Sequence, residues 1–144
     1  MTVPGYEYFT TDFEKMRLSS MTPLDMVREF ASAMGQSVDE RWNNTVYSDE
    51  LCDIEAMRMK LIAEEAQEVR DAATATDLLK ELADLVYVTY GYAATFGWDL
   101  DEAVMRIHTS NMSKLGADGK PIRREDGKIL KGPNYRPPVL TDLV

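Results

Sequence analysis

The sequence predicts an all-α fold with a non-helical C-terminal tail, and three observations carry that reading. Apolar residues recur at helical spacing through most of the stretch from Thr22 to Met112. Helix-start residues stand ahead of these stretches: Thr22-Pro23, Ser48, Asp77 and Asp99. Beyond residue 112 the grammar changes, and Gly116, Gly119, Pro121, Gly127, Gly132, Pro133, Pro137 and Pro138 rule out a further long helix. The 144 residues make one domain, 1–144, with a four-helix core over about 22–112 and a tail over 113–144.

Taken in order, residues 1–20 show no clear period and read as irregular or extended. Thr22 caps the first helix and Pro23 occupies its first position, where a missing N–H costs nothing. Met26, Val27, Phe30, Ala31 and Met34 form its apolar stripe, and Gly35 ends it. A polar linker follows, containing Trp42. Ser48 caps a second helix, with Asp49 and Glu50 in its first turn, that runs to about Ala73. Thr74-Ala75-Thr76 is a break. Asp77 caps a third helix, which ends near Phe96 at Gly97. A fourth begins at Asp99 or Asp101 and runs to about Asn111. Asp126-Gly127 is a turn signal between Ile122-Arg123-Arg124 and Lys128-Ile129-Leu130, so a short β-hairpin is expected before a proline-rich extended end.

Composition narrows the class. The net charge of −9 disfavours nucleic-acid binding. No apolar run approaches membrane-spanning length and residues 1–21 hold no apolar signal core, so a cytoplasmic protein without a membrane partner is expected. The single cysteine, Cys52, excludes a disulfide framework and reads as a small buried helix residue. Residues 1–112 hold 9 basic and 21 acidic side chains; residues 113–144 hold 7 and 4. A basic tail on an acidic body suits a polyanionic substrate bridged to the body by a cation, or a tail that packs on its own body.

The chemistry lies in the acids. Glu65 and Glu68 stand one turn apart on the second helix, and Glu81 and Asp84 repeat the spacing on the third. Both pairs have apolar neighbours in register, Ile62, Ala66 and Val69 beside the first and Leu78, Leu82 and Leu85 beside the second, so the acids edge a core-facing stripe. Solvated helix faces intersperse basic residues at three and four. Glu65, Glu68 and Glu81 have none there, and Asp84 has only Lys80. Like charges left uncompensated cost roughly 0.2–0.5 kcal/mol per pair even when exposed. Folded back as a hairpin, the two helices bring Glu65, Glu68, Glu81 and Asp84 together. Four carboxylates call for a hard divalent cation, magnesium first with manganese able to substitute, and such a cation commonly serves a phosphate ester or anhydride.

The Glu64-Glu65-x-x-Glu68 pattern followed by Glu81-x-x-Asp84 resembles the signature of the all-α nucleoside triphosphate pyrophosphatases. These include MazG, the dimeric dUTPases, the dCTP pyrophosphatases and the phosphoribosyl-ATP pyrophosphohydrolases. The approach Arg58-Met59-Lys60-Leu61-Ile62-Ala63, the run Asp84-Leu85-Val86-Tyr87-Val88 and Asn111-Met112-Ser113-Lys114 are similar too. The tail, from Asp118-Gly119-Lys120-Pro121 to Gly132-Pro133-Asn134-Tyr135, resembles small single-domain MazG-like proteins, phage forms among them. The resemblance covers about residues 22–138. It implies a MazG-like helical bundle that is obligately oligomeric, a dimer or tetramer, and magnesium-dependent cleavage of a nucleoside triphosphate into monophosphate and pyrophosphate. It implies metal ligation by Glu65, Glu68, Glu81 and Asp84, and phosphate contacts from Asn111 and Lys114. Glu64, with Lys60 one turn before it, takes a supporting catalytic role beside Glu65 and Glu68. Arg58, Lys60, Arg123 and Arg124 are further substrate-binding candidates, and a deoxynucleotide is favoured.

Other constellations point elsewhere less strongly. His108, the single histidine, has no Glu-x-x-His around it, which disfavours a diiron bundle. No Walker loop occurs. The nine methionines and the Tyr87, Tyr90, Tyr92 group read as core and subunit interface. Trp42 reads equally as a nucleobase stacker or a packing residue. Three functions therefore stand: a triphosphate pyrophosphatase, a phosphoribosyl-ATP pyrophosphohydrolase, and a non-catalytic helical module that keeps a metal site.

Overall fold

The computed structural model describes residues 11–40 and 49–144. Among the described residues there are five helices: α1 (Asp12–Ser19), α2 (Pro23–Ala33), α3 (Asp49–Asp71), α4 (Ala75–Thr95) and α5 (Leu100–Met112). Trp42 and Ser48 lie outside the described residues.

Residues 1–10 lie outside the described residues; over Asp12–Ser19, helix α1 corrects the expectation of an irregular or extended start. Its described support is local and electrostatic. The Thr11 hydroxyl accepts from the Glu14 N–H at 3.1 Å, and Arg17 pairs with Glu29 of α2 at 2.9 Å. Thr11-x-x-Glu14 has the spacing of a capping box, a sequence signal independent of apolar period. Helix α2 begins at Thr22 with a complete box: Asp25 N–H donates to Thr22 Oγ1 at 3.2 Å, and Thr22 N–H to Asp25 Oδ2 at 2.9 Å. Its buried face is Leu24, Val27 and Ala31, while Phe30 and Met34 are exposed. The stripe is thus rotated from the expected one, which included both.

The α3–α4 hairpin is the most extensive helix pair. Residues 72–74 connect it, and the α4 cap is Thr74, not Asp77. Thr74 Oγ1 accepts from the Asp77 N–H at 3.1 Å and donates to Asp77 Oδ2 at 2.6 Å. At its other end α4 closes on Gly97 (φ 72°), with the Trp98 N–H donating to the Ala93 carbonyl at 3.0 Å. Asp39 and Glu40 N–H groups donate to the Ala94 and Thr95 carbonyls at 3.0 and 2.7 Å, anchoring the segment after α2 to this end. Leu24, Val27 and Ala94 form the buried cluster there, with Tyr90 packed against it. Cys52 is exposed, against expectation.

The surface of α4 bears on function. Leu78 and Leu82, placed on the core-facing stripe by their spacing, are exposed, and so are Leu79, Val86 and Tyr87 of the same helix. Among the described residues no helix is long and apolar enough to cross a membrane.

The tail contains no β-strand. The expected hairpin is reduced to one antiparallel bridge, Arg123 with Ile129, around a turn in which Gly127 has φ 83°. Ile122, Ile129 and Leu130 stay exposed, so no sheet face is buried to extend the pairing. The tail then docks along α5. The Gly132 N–H donates to the Lys114 carbonyl at 2.9 Å, Ser110 Oγ to the Arg136 carbonyl at 2.8 Å, and Arg106 pairs with Asp142.

Candidate active site

Helical geometry brings three of the expected acids to one point. Glu65 and Glu68, one turn apart on α3, face Glu81 of α4, and one carboxylate oxygen from each lies within 4.8 Å of the others. Glu65 Oε2 is buried with no hydrogen-bond partner. A buried carboxylate oxygen without a donor costs free energy unless something positive meets it. Burial pushes the Glu65 carboxyl above its usual range, and the charges of Glu68, Asp84 and Glu81 push it the same way, opposed by Lys80.

These residues fit a hard cation. Every donor is a carboxylate oxygen, and the unpartnered Glu65 oxygen is the kind of atom a cation satisfies. Two oxygens on one magnesium lie at most about 4.2 Å apart, so the cluster needs only a small side-chain closure.

Asp84 stands outside the set of three. Its Oδ2 is held by Lys80 Nζ at 2.8 Å, and the same ammonium lies 3.0 Å from Glu81 Oε2. The adjacent Lys80–Glu81 contact is the functional feature that a count of neighbours at three and four misses. A lysine chain is long enough to fold back on its own successor. Hydrogen bonds to Asp84 and then Glu81 raise the Lys80 pKa, so it remains charged.

The other expected residues are placed as follows. Glu64 is exposed and paired with Lys60 at 3.6 Å. Arg58 is 6% exposed and packs against α4 where Gly91 leaves room, a Cβ there falling 3.2 Å from Arg58 Nη1. It donates to Gln36 Oε1 at 3.3 Å. Burial lowers its pKa. Lys114 donates to Asn111 Oδ1 at 2.7 Å, so these two residues meet at the end of α5. Arg124 pairs with Asp126, and Arg123 donates to the Gly127 carbonyl at 3.4 Å. Among the described residues no hydrogen bond or ion pair joins Asn111, Lys114, Arg123 or Arg124 to the acids. A concavity of about 960 Å³ between α5 and the tail is lined by Met105, Arg106, Pro137 and Val139, with none of the four acids in its wall.

A helical hairpin whose two arms present facing carboxylates, one oxygen of them buried and unpartnered, forms an acidic cluster whose donors fit a divalent cation, on an all-α frame. The phosphoribosyl-ATP pyrophosphohydrolase family model matches residues 27–111, from within α2 to the end of α5 and across every acid of the centre. The chain belongs to that family, and it is a hydrolase acting on pyrophosphate bonds of nucleotides. No curated protein matches it. Among solved structures it is similar to a protein from Exiguobacterium sp. 255-15 assigned as an NTP pyrophosphohydrolase. That match has 22% identity over 94% of this chain and 80% of the other, with a TM-score of 0.40.

Proposed function

We propose that the protein hydrolyses a nucleoside triphosphate between the α and β phosphates, with magnesium or manganese as cofactor, giving nucleoside monophosphate and pyrophosphate. The observation that carries this is the meeting of Glu65, Glu68 and Glu81, together with the buried, unpartnered Glu65 Oε2. Glu65, Glu68 and Glu81 would hold the cation, with Asp84 joining once its carboxylate is free. When bound, the cation supplies charge neutralisation at the triphosphate oxygens and a lowered pKa for water. Water adds to the α phosphorus, the α–β anhydride bond breaks, and pyrophosphate leaves with the bond's electron pair. The proton lost by water needs a carboxylate acceptor. A carboxylate of the centre, Glu65 or Glu68, would take it. Glu64 orients water or the neighbouring ligand from the exposed side. Lys114, with Arg123 and Arg124 of the basic tail, neutralises the leaving phosphates, and Asn111 donates a hydrogen bond to phosphate or sugar.

A deoxynucleotide is the favoured substrate, by the resemblance to small MazG-like proteins. The family match also supports a second reading, phosphoribosyl-ATP as substrate. The bond broken is the same; only the group on the base differs. Pyrophosphate release measured across ribonucleotides, deoxynucleotides and phosphoribosyl-ATP separates them, and activity confined to phosphoribosyl-ATP would replace the first reading by the second.

The working form is a homo-oligomer in the cytoplasm. The exposed apolar row Leu78, Leu79, Leu82 and Val86 supports this.

A further inference from the structure

We propose that the Lys80 ammonium is a resident stand-in for the divalent cation: it closes the Glu81–Asp84 half of the site in the cation-free protein, and an incoming cation must displace it. This rests on the metal reading given above. An ordinary surface pair on a helix would join Lys80 to Asp84 alone, four residues on. Here Nζ lies 2.8 Å from Asp84 Oδ2 and also 3.0 Å from Glu81 Oε2. The Glu81 side chain is only 13% exposed and its carboxylate is one of the three that meet. The Lys80 chain bends its ammonium onto the two acids yet stays 63% exposed, so it can leave without disturbing the helix. The groups that face it are acids: Glu81 and Asp84 on its own helix, and Glu65 across the hairpin, which feels its charge. Lys60, on the facing helix α3, pairs with Glu64 instead.

The consequence is competition. The oxygens that hold the ammonium include those a cation needs, and two positive charges a few ångströms apart repel. Removing the ammonium should therefore tighten cation binding and, in the cation-free protein, leave like charges unopposed. A purely structural ion pair would do neither selectively; its loss would lower stability equally with and without cation.

The test is calorimetric titration of Mn²⁺ into chelator-stripped, nucleotide-free wild type, Lys80→Gln and Lys80→Arg, with melting curves in EDTA and in saturating Mn²⁺. Lys80→Gln is expected to bind Mn²⁺ about three- to tenfold more tightly than wild type. Lys80→Arg, which keeps the charge, binds no more tightly than wild type. Lys80→Gln melts below wild type in EDTA, and Mn²⁺ closes the gap. Equal affinities, or a melting gap unchanged by Mn²⁺, would overturn the role of Lys80 while leaving the cation site standing. Weaker binding by Lys80→Gln would also overturn it. No Mn²⁺ binding by either wild type or Lys80→Gln would overturn both readings, and binding by Lys80→Gln alone would support the stand-in most strongly.

Discussion

Glu65 bears two opposed demands in one side chain. Its Oε2 is buried and unpartnered, and burial with the neighbouring acids raises its pKa. The folded protein thus keeps the Glu65 proton through a pH range in which the unfolded chain has lost it. That stabilisation is full below the ordinary glutamate value and is lost as pH rises through the folded-state value. In EDTA at about pH 7, Glu65→Gln should therefore melt higher than wild type, by a degree or two in order of magnitude. The difference should shrink as pH falls toward about 4. The same variant should lose turnover by about 100-fold or more, because a neutral amide neither holds the cation well nor accepts a proton. Melting scans across pH, with and without Mn²⁺, and initial rates check both halves; a variant that is less stable in EDTA at every pH contradicts the first. At this scale the acids were legible because helical spacing fixes which carboxylates share a face. The Lys80–Glu81 contact was not, because a four-carbon chain is not bound by helical spacing. The exposure of Cys52 was not legible either, since nothing local distinguishes a buried small residue from an exposed one.

Elements were readable where local chemistry determines them. Four of the five helices lie where the apolar period put them, while α1, built on a cap and an ion pair, gave no periodic signal. The hairpin expected from Asp126-Gly127 has its turn but not its strands. A turn residue fixes only the reversal; a ladder also needs a buried face, and Ile122, Ile129 and Leu130 have none. What holds the tail is its docking on α5, which turn chemistry does not encode. Gly132 is decisive there: an added Cβ would stand 2.8 Å from both the Lys114 carbonyl oxygen and the Leu115 carbonyl carbon, backbone atoms that cannot rotate away. Gly132→Ala should release residues 132–142 from α5. Hydrogen exchange at the Arg136 N–H, which donates to Ser113 Oγ at 2.9 Å, should then quicken by tenfold or so. Unchanged protection there would show that the tail is held by other contacts.

For the whole molecule the decisive quantity is surface. Leu78, Leu79, Leu82 and Val86 form an apolar row along α4 that faces outward, the kind of surface a second copy of the chain would cover under the proposed homo-oligomer. The sequence showed this only as an excess of apolar residues on the third expected helix; the excess was legible, but which of them face outward depends on how α2 and α3 pack. Leu79, 70% exposed, is the position to test. Wild type should scatter light as a dimer or tetramer at micromolar concentration, and Leu79→Glu should shift it toward monomer; a wild type that is monomeric and fully active would contradict the account. The central claim is the reaction, and it is tested most directly in oxygen-18 water. A panel of nucleoside triphosphates is incubated with magnesium and either wild type or Glu68→Gln, and the products are separated and weighed by mass spectrometry. The account predicts monophosphate and pyrophosphate in equal amounts, oxygen-18 in the monophosphate, and a rate for Glu68→Gln lower by about 100-fold or more. Orthophosphate as the first product, or a wild-type rate from Glu68→Gln, would contradict it.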